Sequence, residues 1–223
     1  MGQIVSLDKR SQERLIVENF LFTVSSPRGA VPAIQDVVLL DRDGTIIQEK
    51  EYLRDPEQLS FEEKAVEALR SLQDARKFVA VVSNQAGLAK GVISFEEFAL
   101  VNRRFLSTLQ EQSTTVQAII YCPFHGEGTV PEYTCRSPFR KPGTGMYHIL
   151  EHTFGLRPSC LFVVGDKISD VEFGNRLGAN TFFLTTGHGS GELPDLARTR
   201  LAYRTKTSLY DAVSEILSHP TTL

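Results

Sequence analysis

Val37-Val38-Leu39-Leu40-Asp41-Arg42-Asp43-Gly44-Thr45 decides how the chain is read. Four apolar residues run into two carboxylates one residue apart, followed by Gly and Thr. The run predicts a strand buried on both faces of a parallel sheet. Such strands present chemistry at their carboxyl ends. The period of two along a strand predicts that Asp41 and Asp43 face the same side. Carboxylates held that close repel one another and invite a hard cation such as Mg²⁺. Gly44 lets the backbone turn sharply beside a ligand. Taken alone, D-x-D-G reads better as an ordinary turn, because Asp and Gly are common turn residues.

Further along, the pattern repeats. Phe78-Val79-Ala80-Val81-Val82 predicts a second buried strand ending in Ser83-Asn84-Gln85. Cys160 to Val164 predicts another, ending in Gly165-Asp166-Lys167-Ile168-Ser169-Asp170. Val116 to Tyr121 and Thr181 to Leu184 predict two more. Between them, apolar residues at helical spacing predict helices over 62–76, 95–112 and 146–154, and after Leu209. Ser94, three residues ahead of Glu97, predicts a cap for the second of these. Strands alternating with helices predict an α/β fold, a Rossmann-like parallel sheet in three layers with helices on both faces. The polar ends of three strands then meet on one rim. That convergence is harder to explain as turn chemistry than any single motif.

Residues 34–218 are expected to form this one domain, with 1–33 as an N-terminal extension of unassigned role. Within the extension, Leu15-Ile16-Val17 and Phe20 to Val24 predict an extra strand or short hairpin covering the sheet edge. Ser25 to Gly29 reads as a linker turn.

The chain has 223 residues, 41% hydrophobic and 23% charged, with 24 Lys+Arg against 27 Asp+Glu and a net charge of −3. This composition is that of a soluble globular protein, and its lack of a basic block argues against nucleic acid as a partner. No stretch approaches the ~20 apolar residues of a membrane span. Glu18 and Asn19 break the apolar run that a signal peptide would need. Cys122, Cys135 and Cys160 do not close a disulfide framework, so a reducing, cytoplasmic setting is expected. A monomer or weak homo-oligomer is expected.

Suppose that this rim binds a phosphate monoester, whose uncatalysed hydrolysis is among the slowest of reactions. A carboxylate can accept the phosphoryl group, which suggests Asp41 as nucleophile and Asp43 as proton donor. Ser83 and Lys141 would stabilise charge on the phosphoryl oxygens. Asp166 would complete a metal site, and Asp170 would orient Lys141 or a metal-bound water.

The ordered set Asp41-x-Asp43-Gly44-Thr45, Ser83-Asn84-Gln85, Arg140-Lys141-Pro142 and Gly165-Asp166-Lys167-x-x-Asp170 resembles the haloacid dehalogenase-like (HAD-like) phosphatases. Within them it is most similar to the branch of D,D-heptose 1,7-bisphosphate 7-phosphatases and histidinol-phosphate phosphatases. The resemblance spans about residues 35–215. It implies a domain with a minimal cap or none. It also implies Mg²⁺ held by Asp41, the Asp43 backbone carbonyl and Asp166, with Asn84, Gln85, Arg140 and Lys167 at the substrate. A sugar phosphate such as the heptose bisphosphate is the implied substrate. Histidinol phosphate, or a catalytically silent phospho-metabolite binder, is the alternative. The branch commonly carries zinc ahead of its Arg-Lys-Pro. Here Phe124, Ser137 and Phe139 stand at ligand positions and leave only Cys122, with His125 and Cys135 out of register. Zinc is therefore expected to be absent, its space filled by an apolar cluster of Phe124, Val130, Tyr133 and Phe139.

Overall fold

The computed structural model describes residues 8–23 and 36–219. A seven-stranded sheet carries strands β1 (Leu21–Thr23), β2 (Val37–Leu40), β3 (Phe78–Asn84), β4 (Ala118–Cys122), β5 (Leu161–Gly165), β6 (Asn180–Leu184) and β7 (Arg204–Lys206). Their spatial order is β1-β4-β3-β2-β5-β6-β7. All neighbours are parallel except β1, which runs antiparallel to β4. β2 lies at the centre because its four side chains have polar flanks but no polar member, and all four are buried. Each such burial stabilises by ~1.5–3 kcal/mol.

From β2 the chain winds one way through β3 and β4, then returns and winds the other way through β5, β6 and β7. Right-handed crossovers place the connecting helices of the two halves on opposite faces. These are α2 (Ala65–Asp74), α3 (Ala86–Ala89) and α4 (Phe95–Glu111) in one half and α5 (Gly145–Phe154), α6 (Ile168–Arg176) and α7 (Gly189–Leu196) in the other; α1 (Lys9–Asn19) stands at the N-terminus, and α8 (Leu209–Ser218), after the last strand, packs against α2. The winding reverses between β2 and β5, and ligands of open α/β sheets bind at such a switch point. Ser94 caps α4 as expected, its hydroxyl accepting from Glu97 N at 3.1 Å while Glu97 Oε2 accepts from Ser94 N at 2.8 Å.

Residues 43–64 hold two isolated bridges, Asp43 with Ile47 and Ile47 with Phe61, and one 3-10 turn, Pro56–Gln58. The loop from 123 to 144 holds a single 3-10 turn, Pro131–Tyr133.

The N-terminal reading needs correction at Leu15-Ile16-Val17. These residues are helical, in α1, rather than a strand. Asp8 caps the helix by accepting from Ser11 N at 2.9 Å, and Arg14 pairs with Glu18 one turn on at 2.7 Å. The helix buries Ile16 and leaves Val17 exposed, so three consecutive apolar residues did not mean a strand. The edge-strand part of the expectation agrees with β1. Ser25 to Gly29 lies outside the described residues. Among the described residues no helix is long and apolar enough to cross a membrane.

Candidate active site

β2, β3 and β5 deliver Asp41, Ser83 and Asp166 to one rim, as parallel pairing in register requires. Asp41 N donates to Val164 O at 2.9 Å, which ties the nucleophile candidate to the end of β5. Lys141 reaches in from the long loop. Its Nζ lies 2.9 Å from Asp41 Oδ1 and 2.5 Å from Asp170 Oδ1, and donates to Val82 O at 2.7 Å. All three charged groups are buried.

Asp41, Asp166 and Asp170 each offer an oxygen within 4.8 Å of the others. The Asp43 carboxylate does not join this side-chain cluster. It turns towards Arg42, whose Nη2 donates to both of its oxygens at 2.9 and 3.0 Å. Gln85 ties the two sets together, its Nε2 donating to Asp43 Oδ2 at 2.8 Å and to Ser83 Oγ at 3.2 Å. Ser83 stands beside Asp41 and helps to hold its carboxyl low.

Electrostatics separate the carboxylates. Burial pushes the Asp41 carboxyl up, but Lys141, Lys167 and Ser83 outweigh it and hold it below the usual range. Asp166 goes the other way. Burial and the neighbouring Asp41 push it up to about 8, only partly offset by Lys167 and the bond from His188 N at 2.7 Å. Burial also raises Asp170, against the pull of Lys141. Lys141 stays protonated: burial lowers it, but Asp170 and Asp41 raise it further.

Asp166 Oδ1 is buried with no hydrogen-bond partner among the described residues. A buried polar atom without a partner costs about 1–3 kcal/mol, more when charged. Gly44 (φ +74°) and Gly187 (φ +50°) close around the same carboxylate, and a Cβ on either would run into Asp166 Oδ2. An all-oxygen cluster with one orphaned oxygen in a cradle that admits no side chain fits a hard divalent cation such as Mg²⁺.

Above this floor opens a cleft of about 370 Å³ lined by Asp43, Tyr52, Asn84, Gln85, Lys90, His125, Arg140, Lys167 and His188, among others. Of the residues expected at the substrate, Arg140 and Lys167 project cationic groups into it. Arg140 Nη1 donates to Phe124 O at 3.3 Å, and Lys167 Nζ to Glu49 Oε2 at 3.3 Å. Asn84 lines the cleft, but its amide is already used. Its Oδ1 accepts from Lys141 N at 2.9 Å and its Nδ2 donates to Lys141 O at 3.1 Å. It clamps the backbone that carries Lys141.

Sequence reading missed three contributors. Arg42 is buried between the two aspartates, with its guanidinium 5.2 Å from the centre of the Tyr121 ring. Glu49 and His188 meet at the cleft wall, Nε2 to Oε2 at 3.2 Å. A basic residue set between two aspartates just past a fully apolar strand was a usable signal for Arg42. Nothing local pointed to the other two.

In the long loop, Phe124 and Phe139 are fully buried, Tyr133 is buried and Val130 packs beside them. They form part of the main core instead of a separate cluster. His125 faces the cleft, its Nδ1 accepting from Glu127 N at 3.1 Å.

Carboxylates and a buried lysine at the switch point of a doubly wound sheet suit a class, phosphate-ester hydrolases built on a parallel α/β sheet. Comparison with known proteins narrows it. The HAD-hydrolase-like family model matches residues 138–212. The D-glycero-alpha-D-manno-heptose-1,7-bisphosphate 7-phosphatase of Photorhabdus laumondii is 32% identical over 70% of this chain and 86% of its own. The D-glycero-D-manno-heptose-1,7-bisphosphate 7-phosphatase of Chlorobaculum tepidum is 32% identical over 83% of this chain and 96% of its own. Among solved structures, a HAD-like phosphatase of Mesorhizobium loti is 28% identical, with a TM-score of 0.68 over 80% of this chain and 91% of that one. The D,D-heptose 1,7-bisphosphate phosphatase of B. bronchiseptica, complexed with magnesium and phosphate, shares the fold at a TM-score of 0.71 over 82% of this chain and 99% of that one, at 24% identity. The chain belongs to the HAD-like phosphatases, in the branch of the heptose-bisphosphate phosphatases, and is a phosphoric monoester hydrolase.

Proposed function

We propose that the protein removes a phosphate from a small phosphorylated sugar, with D-glycero-D-manno-heptose 1,7-bisphosphate and its 7-phosphate as the leading case. One observation carries the reading: the buried Asp41 carboxylate, held ionised by Lys141, lies within 4.8 Å of an Asp166 that has an oxygen to spare. The names of the Photorhabdus and Chlorobaculum relatives supply the substrate.

In the proposed reaction an Asp41 oxygen attacks phosphorus and the ester P–O bond breaks. The departing alkoxide takes a proton from Asp43. Water then attacks the aspartyl-phosphate, Asp43 takes back a proton, and the Asp41–P bond breaks to release phosphate and restore the carboxylate. Ser83 and Lys141 answer charge on the phosphoryl oxygens. Arg42 and Gln85 hold the Asp43 carboxylate over the cleft. Arg140 and Lys167 offer charge to the rest of the substrate. Asp41, Asp166 and the Asp43 carbonyl would hold Mg²⁺, which when bound would neutralise phosphoryl charge as a Lewis acid.

Zinc has no part in this proposal. Phe124 and Phe139 occupy core space in the loop, and Cys135 Sγ accepts from Gln12 Nε2 at 3.5 Å. Metal analysis finding stoichiometric zinc in the purified protein would overturn that part. Three free cysteines suit a reducing cytoplasm, and a monomer or weak oligomer acting on a soluble metabolite is the setting proposed.

The test is a Mg²⁺ screen of heptose bisphosphate, other sugar phosphates and histidinol phosphate, with Asp41→Asn as control. Heptose bisphosphate should give the highest kcat/KM. Preference for histidinol phosphate would reassign the substrate, and equal turnover in the Asp41→Asn control would remove the mechanism.

A further inference from the structure

Lys141 and Arg140 end a loop with almost no regular structure of its own. Asn84 clamps Lys141, and Ala89 O accepts from Thr129 N and Val130 N at 2.7 and 3.0 Å. Between these anchors, the turn from Cys135 to Phe139 meets Gln12 on α1. Gln12 is 3% exposed, on a helix whose neighbouring positions 9–11, 13 and 14 are all exposed. Burying an amide costs free energy unless it is paired, and Gln12 finds partners far along the chain. Its Oε1 accepts from Ser137 Oγ at 2.7 Å and its Nε2 donates to Cys135 Sγ. Ser137 passes the constraint on: its Oγ accepts from Phe139 N at 3.2 Å and its carbonyl from Arg140 N at 3.2 Å. At the end of α1, Phe20 packs edge-on to Tyr133 of the same loop at 6.1 Å, and its carbonyl accepts from Tyr121 N at 3.1 Å.

We infer that Gln12 is a positioning residue: through Ser137 it sets the backbone that presents Arg140 and Lys141, so that α1, which lies outside the family-matched stretch, helps to tune the active site. The inference rests on the proposed roles of Arg140 and Lys141.

Two readouts on the full chain test it, below the unfolding range of every variant. The first is amide hydrogen exchange, which is independent of activity. In Gln12→Ala and in Ser137→Ala, exchange over 137–141 should quicken by about 10-fold while β2 and β5 keep their protection. The second is steady-state hydrolysis of p-nitrophenyl phosphate with Mg²⁺. Each variant should lose kcat by roughly 5- to 50-fold with KM within about twofold, because the loop is misplaced and not lost. The double variant should be no worse than about twice the poorer single, since both act through one bond. Glu13→Ala, on the exposed face of α1, should match the wild type. Wild-type exchange and kcat in Ser137→Ala would overturn the inference even if Gln12→Ala failed to fold, as would losses that multiply in the double variant. An inactive wild type whose loop still loosens in Gln12→Ala would sink the phosphatase reading and leave the coupling standing.

Discussion

Strand β2 has an aspartate at each end, each with a buried lysine beside it, and the two ends do different things. At the amino end Asp36 Oδ2 receives Lys77 Nζ at 2.5 Å and Oδ1 receives Ser159 Oγ at 2.7 Å. Burial pushes that carboxyl up, but Lys77 and Ser159 prevail and hold it low. Every charge there is answered. At the carboxyl end Asp41 and Asp170 pair with Lys141, Asp166 offers an oxygen within 4.8 Å of both, and its Oδ1 has no hydrogen-bond partner among the described residues. The same pair of residue types therefore closes the sheet at one end and leaves a carboxyl oxygen unpaired at the other. A carboxyl cluster with an oxygen to spare is what a cation would occupy. The spare oxygen, more than the mere presence of an Asp–Lys pair, distinguishes the end proposed as functional.

Substitutions at matched positions sharpen the contrast. Asp41→Asn should cut kcat by roughly 10³-fold or more, as loss of a nucleophile does, whereas Asp36→Asn should keep kcat per folded molecule. Lys141→Met should lower kcat/KM by roughly 10²–10³-fold, the scale for removing one preorganised charge or donor. Lys77→Met should instead cost about 3–5 kcal/mol of stability, the scale for stranding a buried charge, with kinetics intact; denaturant unfolding beside the aryl-phosphate assay reads both. An active Lys141→Met, or an inactive but folded Lys77→Met, would erase the distinction between the ends.

Gly187→Ala drives a methyl towards Asp166 and strains a positive φ. It should raise the Mg²⁺ concentration for half-maximal activity by about 10–100-fold. An unchanged Mg²⁺ requirement would mean that Asp166 does not hold the ion.

The smallest effect is in pH. A carboxyl raised in the folded state favours folding at low pH, and this contribution is lost as pH climbs from the unfolded value of about 4 through the folded value. For Asp166 that window closes at about 8. Metal-free protein should thus lose Tm between about pH 4 and 8, and saturating Mg²⁺ should remove the loss by keeping Asp166 ionised. Asp36, held low, contributes the opposite sign and only below about pH 4, outside that window. A flat metal-free profile would place Asp166 in a better-solvated site.

The legible parts of the sequence share a property: their meaning is local. Val37 to Leu40 followed by Asp41 contains both strand and strand end, and so do Phe78 to Ser83 and Leu161 to Asp166. Capping of α4 by Ser94 is equally local. What could not be read depended on distant partners. Arg42 is explained by Tyr121 and Gln85, and Gln12 by Ser137, 125 residues on. The bonds of Asn84 to Lys141 were hidden in the same way, because their partner lies 57 residues on. β7 escaped because Arg204-Thr205-Lys206 is short and its first two residues are exposed, so no apolar alternation marks it. In α1 the run Leu15-Ile16-Val17 suggested a strand, and the polar residues before it, with the Asp8 cap, decided for a helix.

All of this turns on Asp41 taking the phosphoryl group. Mixing enzyme with substrate and Mg²⁺, quenching in acid within the first turnover, and mapping peptides by mass should find one phosphoryl mass on the peptide carrying Asp41, and none in Asp41→Asn. Turnover with that peptide unmodified at every quench time, or with the phosphoryl mass on another residue, would contradict the account.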